Sequence, residues 1–118
     1  MRPHDPAVAL ADVLRAGAEI ERFVLGRSLA AYESDRLLSS AVERQFEIVG
    51  EGLSRALRAD PSIEARLPEA RRVIDFRNQL AHGYDTVDDR LVWTLATEHL
   101  SALLAAVRDV TGEGPRRG

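Results

Sequence analysis

AVERQFEIVGEGLSRAL, residues 41–57, decides what kind of fold this chain can adopt. Together with Leu38, its apolar residues Val42, Phe46, Val49, Leu53 and Leu57 recur at steps of three or four. That spacing puts them on one face of an α-helix, and Ala41 and Ile48 widen the face. Signals at both ends bound the helix. Ser34-Asp35 offers side-chain oxygens to the unpaired N–H groups of the first turn. Asp60-Pro61 stops it near Ala59, because proline disfavours helical geometry in the residue before it.

Helical periodicity continues in both directions. Upstream, Asp5-Pro6 is a good helix start, and the stripe Leu10, Val13, Leu14, Gly17, Ile20, Val24, with Phe23 alongside, predicts a helix ending around Gly26. Downstream, a short helical piece is expected from Ser62 to Leu67. A third main helix follows from Pro68 to about Ala81, with Gly83 as a left-handed stop. The last helix opens after Val87-Asp88 and runs to about Val110. No strand pattern and no internal repeat interrupts this. The expected fold is all-α, an antiparallel four-helix bundle with a short extra helical segment. Residues 1–110 form the single domain, and TGEGPRRG, residues 111–118, is a disordered tail.

Composition agrees. The chain has 118 residues, 45% hydrophobic and 30% charged, with only 5% aromatic, enough for one core and too little for two. With no cysteine, disulfides, thiolate chemistry and Cys-ligated zinc are excluded. Asp12 and Arg15 interrupt the only apolar run near the N-terminus, and no segment reaches the ~18 apolar residues that span a bilayer, so a cytoplasmic protein without a membrane partner is expected. A net charge of -3 supplies no global attraction for nucleic acid. All 16 basic residues are arginine. A GC-rich genome produces that bias, and so does a need for bidentate phosphate binding, which Arg performs better than Lys.

The last helix carries two apolar strips, Val92, Leu95, Leu103, Ala106, Val110 and Trp93, Ala96, Leu100, Leu104, Val107. One core contact needs a stripe only about 100° wide, so the second strip points to a partner surface and an oligomer.

RNQLAHGY, residues 77–84, is where polar chemistry concentrates. On a helical wheel Arg77 falls in the middle of the stripe Ala70, Val73, Ile74, Leu80, Ala81. A guanidinium there needs a partner: either a Glu of the second main helix in a structural ion pair, or an anion reached from a cleft or an interface. Asn78 and His82 are four apart and share a different face, with Asp75 and Gln79 flanking it, so an amide beside an imidazole can set its tautomer. His82 can equally be a simple cap of the helix C-terminus. Arg77 and His82 converge only if the helix breaks or tightens before His82, or if a second subunit supplies one of them. Tyr84 carries no signal alone. Glu43, Glu47 and Glu51 form an i, i+4, i+8 column that Arg55 and arginines of other helices can compensate, with a carboxylate metal site as the sharper alternative. His99, inside the last helix's apolar stripe, reads as a satisfied core imidazole.

Arg77, Asn78, His82 and Tyr84 together spell R-N-x3-H-x-Y, an R-x4-H-x-Y motif that resembles the HEPN ribonuclease superfamily, specifically HepT-like toxins. Residues 41–57 look like that family's second helix, and YDTVDDRLVW, residues 84–93, looks like the start of its last one. The resemblance implies a helical homodimer with the two motifs facing each other, acting as a metal-independent endoribonuclease on RNA with no cofactor. Arg77 would stabilise charge on the scissile phosphate, His82 would be the general acid or base, and Asn78 would orient substrate or imidazole. It also implies an MntA-like nucleotidyltransferase antitoxin that transfers AMP from ATP to Tyr84. A non-catalytic RNA- or nucleotide-binding module, or a nucleotidyltransferase-associated adaptor, is the alternative on the same fold.

Overall fold

The computed structural model describes residues 5–82 and 87–112. Helix α1 spans Ala7–Val24, and the Asp5 carboxylate accepts the Ala7 N–H at 2.9 Å. It ends where Gly26 takes φ 74°, a conformation open to glycine and costly for other residues. Helix α2, Leu29–Ser34, is capped by Ser28, whose hydroxyl accepts the Ala31 N–H at 3.1 Å. Helix α3 is Arg36–Ala59, with Asp35 accepting the Leu38 N–H at 3.0 Å. A 3-10 turn, Pro61–Arg66, leads to α4, Ala70–Ala81. Helix α5, Asp89–Thr94, is capped by Asp88 and passes through one π-helical turn, Leu95–His99, into α6, Leu100–Thr111. Gly112, at φ 79°, closes it.

No strand occurs among the described residues, and the all-α expectation holds with its short extra segment at Pro61–Arg66. The sequence reading missed α2, because six residues are too few to show a period. Its signals were Ser28 and the buried Tyr32. The tail beyond Gly112 and the stop at Gly83 lie outside the described residues.

Helices α1 and α3 run antiparallel. Ala9 and Val13 face Gly52, Asp12 meets Arg55, and Ala16 and Glu19 share a depression with Gln45 and Ile48. Helix α6 lies along α1, with Leu104 seated on Gly17. Helix α4 packs on α3, and the Phe76 ring meets Phe46 edge-on, centroids 5.6 Å apart. No helix among the described residues is long and apolar enough to cross a membrane.

The two apolar strips of the last helix do not leave a free face. Val92, Leu95 and Leu103 of one strip and Ala96, Leu100, Leu104 and Val107 of the other are all buried within this one chain. Leu104 sits on α1, and Trp93 packs against Tyr32 of α2 at 5.6 Å. The second strip is divided between α1, which takes Leu104, and the unforeseen α2, which takes Trp93, so it is no argument for a partner.

The α1–α3 contact depends on Gly52. A Cβ there would lie 2.8 Å from Val13 Cγ2 and 3.0 Å from the Ala9 carbonyl oxygen, a backbone atom that cannot swing aside. Gly→Ala normally stabilises a helix interior by ~0.8–1.0 kcal/mol, whereas overpacking costs ~1–3 kcal/mol. Gly52→Ala is therefore expected to lose about 1 kcal/mol in urea unfolding. Equal or greater stability than wild type would show that the helices separate freely.

Candidate functional site

Helix α4 carries the polar segment, and its packing decides where each group goes. Ala70, Val73, Ile74 and Phe76 are buried, while Leu80 is only half-buried. Phe76 turns the stripe toward itself, so Arg77 lies on its border rather than in its middle, with its side chain 33% exposed. The root of Arg77 rests on α3 at Gly50, where a Cβ would come 2.7 Å from Arg77 Cγ. At its tip one terminal nitrogen forms an ion pair with Glu51 Oε2 at 3.0 Å, and the other donates weakly to Asn78 Oδ1 at 3.4 Å. The structural ion pair with a glutamate of the second main helix is thus present.

His82 is the residue on which α4 ends, at φ -84° and ψ 3°. Its backbone N–H reaches the Asn78 carbonyl at 3.2 Å, and its ring Nδ1 lies 2.6 Å from the same oxygen. A carbonyl oxygen only accepts, so Nδ1 carries the proton. In the neutral ring the free lone pair is then on Nε2, the state a general base requires. The tautomer is set by the main chain of Asn78, where the sequence suggested a side-chain amide. The helix stays regular up to His82 and ends on it, so the break before His82 that would bring Arg77 and the imidazole together within one chain does not occur. Asn78 touches both, its amide oxygen meeting Arg77 and its carbonyl holding His82. Tyr84 lies outside the described residues.

Beside Arg77 is a shallow depression of about 280 Å³ lined by Arg44, Glu47, Ile48, Glu51, Arg55 and Arg77. Charges alternate in a chain that runs from Asp12, outside its lining, to Arg77. Asp12 holds Arg15 and, at 3.0 Å, Arg55; Arg55 faces Glu51 at 3.9 Å; Glu51 holds Arg77. Arginines compensate the lower end of the acidic column in this way. At its upper end, burial raises the Glu43 carboxyl above the ordinary value of 4.5, assisted by nearby Asp89 and Glu47 and opposed by Arg36. The Tyr32 hydroxyl is sealed in without a hydrogen-bond partner among the described residues. Burial, then Glu43 and Asp89, push its ionisation up.

Among the described residues no three His, Asp or Glu side chains are grouped to hold a metal ion. His99 is satisfied, as expected: Nδ1 donates to Glu69 Oε2 at 2.9 Å, and that bond chiefly lowers the Glu69 carboxyl. Sequence reasoning missed Gly50 as the seat of Arg77. Its only signal was a glycine in a helix interior, where it costs ~1 kcal/mol against alanine and so needs a packing reason.

The family model described as Ribonuclease HepT-like matches residues 13–110, from α1 into the last turns of α6. The chain belongs to the HepT-like ribonuclease family. The match takes in α3 and α4 whole, with Arg77, Asn78 and His82, as well as Tyr84 beyond them. No solved structure matches the chain. For a HepT-like ribonuclease, the tautomer-locked imidazole and the half-exposed guanidinium at the end of α4 are the features to explain.

A carboxyl whose folded pKa is raised contributes stability that is complete below its unfolded value and lost as pH rises through the folded one. Glu43→Gln is accordingly expected to raise the Tm at pH 7, with the gain disappearing below the ordinary value of 4.5. A variant that melts at or below the wild-type temperature at pH 7 would contradict the cost assigned to this carboxylate.

Proposed function

We propose that this HepT-like chain is a metal-independent endoribonuclease, with Arg77 and His82 as its catalytic pair and Asn78 as the residue that orients them. The observation that carries this reading is the 2.6 Å bond from His82 Nδ1 to the Asn78 carbonyl, which leaves the lone pair of the neutral ring free on Nε2. Nε2 takes the proton of an RNA 2′-hydroxyl, and the 2′-oxygen attacks the adjacent phosphorus. Arg77 meets the charge that builds on the non-bridging oxygens of the five-coordinate state. The 5′-oxygen leaves with a proton from an imidazolium, giving a 2′,3′-cyclic phosphate and a free 5′-hydroxyl. A homodimer with its two motifs face to face supplies one imidazole as base and the second as acid.

In this reading the chain is a toxin, and its antitoxin is an MntA-like nucleotidyltransferase. That enzyme joins AMP from ATP to the Tyr84 oxygen with release of pyrophosphate. Tyr84 is two residues from His82, so the added phosphate would repel RNA from the same site. The other reading on the same fold is a segment that binds RNA or nucleotide without cleaving it.

Purified protein in excess chelator is expected to cleave RNA to products ending in cyclic phosphate. His82→Ala and Arg77→Ala should each lower the rate ~10²-fold or more. Variants as active as wild type would remove the catalytic assignment, and RNA bound at low salt yet left intact would establish the binding module.

Co-expression with the nucleotidyltransferase should add one or more AMP masses to wild type and none to Tyr84→Phe. Equal additions to both would place the modification elsewhere.

A further inference from the structure

We infer that Glu51 is a positioning residue that latches Arg77 and must hand it over before an RNA phosphate can be held. The inference rests on Arg77 being the phosphate-binding group proposed above. Three observations carry it.

First, Glu51 already occupies the guanidinium. Its Oε2 lies 3.0 Å from a terminal nitrogen of Arg77, where a phosphate oxygen would sit. A carboxylate and a phosphate present the same acceptor geometry to arginine, so the two compete for the same N–H groups.

Second, the pair is built to exchange. The two side chains are 33% and 43% exposed, so neither charge is stranded in the core when they part. The depression of about 280 Å³ beside them leaves room for the incoming group. Released, Glu51 has a second cation one helical turn away, because Arg55 Nε already lies 3.9 Å from its other oxygen. Asp12 holds Arg55 from the far side at 3.0 Å and keeps it in place to receive the carboxylate. The alternating chain Asp12, Arg55, Glu51, Arg77 thus gives Glu51 two resting places.

Third, the root of Arg77 cannot retreat. Gly50 packs against its Cβ and Cγ, and the neighbouring Asn78 amide oxygen takes its other terminal nitrogen. The guanidinium turns from one anion to another at a fixed station, and Glu51 decides which anion it meets.

The test uses the full chain and two probes. One is a single-stranded 2′-O-methyl oligonucleotide, which presents phosphates but has no 2′ proton to lose. The other is a cleavable RNA of the same sequence. Glu51→Gln keeps the shape and removes the charge. It should tighten binding of the uncleavable probe about 2- to 5-fold, the range expected for an exposed ion pair. The same factor should appear as a lower KM on the cleavable RNA, with kcat little changed. Glu51→Asp restores the charge and should bring the affinity back toward wild type. In an Arg77→Gln background, Glu51→Gln should leave the affinity unchanged.

Unchanged or weaker probe binding by Glu51→Gln, or a fall in kcat alone, would overturn the latch. So would equal tightening in the Arg77→Gln background, which would reduce Glu51 to a general repulsive charge. Failure of the ribonuclease reading shows separately, as cleavable RNA left intact by wild type while the affinities of the uncleavable probe are still measured.

Discussion

The contact of α4 with α3 at Gly50 is the constraint on which the rest of the site depends. Glycine in a helix interior costs ~0.5–1 kcal/mol relative to alanine, and here that cost lets the Cβ and Cγ of Arg77 sit directly on the backbone of α3. The consequence is positional. Arg77 lies at the border of the core that Phe76 fills against Phe46, with its stem on Gly50. From there it lies across α3, level with Glu51, at the edge of a depression that α3 mostly lines. Packing of the core and placement of the cation are one event.

The other half of the site follows from where α4 stops. The last four carbonyls of a helix lack intrahelical partners, and each has two lone pairs. The Asn78 carbonyl takes the His82 N–H with one and the His82 ring with the other. As structure this is an ordinary C-terminal cap, worth ~0.3–1 kcal/mol with a charged imidazole. As chemistry it selects the tautomer. The two descriptions concern the same bond, so the cap is compatible with the catalytic role proposed for His82 and does not exclude it.

Much of this was legible in the sequence because it depends on local chemistry. The cap residues Asp5, Asp35 and Asp88 and the stop at Asp60-Pro61 act within a few residues and fall where the pattern put them. The ion pair of Arg77 with a glutamate of the second main helix was one of two open readings, because a guanidinium so near the apolar stripe requires a partner. What was hidden depends on neighbours distant in sequence. The wheel could not show that Phe76 would displace Arg77 to the stripe's border, since Phe46 on another helix makes that choice. Nor could it show that the second apolar strip of the last helix would be divided between α1, at Leu104, and α2, at Trp93. Periodicity reports how many faces are apolar and is silent on which element covers them.

An acidic chain that handles RNA has to solve a problem of field. With a net charge of -3, it has no long-range attraction to add to its local contacts. The depression beside Arg77 is lined by three arginines and two glutamates, an excess of one positive charge. On the proposed reading, such a surface engages only a few phosphates. Salt dependence scales with the number of phosphates neutralised, at roughly -0.7 per contact for single strands. Binding of this kind is shallow in its response to salt and demanding in geometry, and geometry is what Gly50, Glu51 and Asn78 supply to Arg77. Latching the guanidinium on a carboxylate has a second physical effect: it lowers the attraction for stray phosphates that cannot also reach His82. Discrimination then comes from the exchange itself, because an anion that gains nothing further at the end of α4 has little to offer against Glu51.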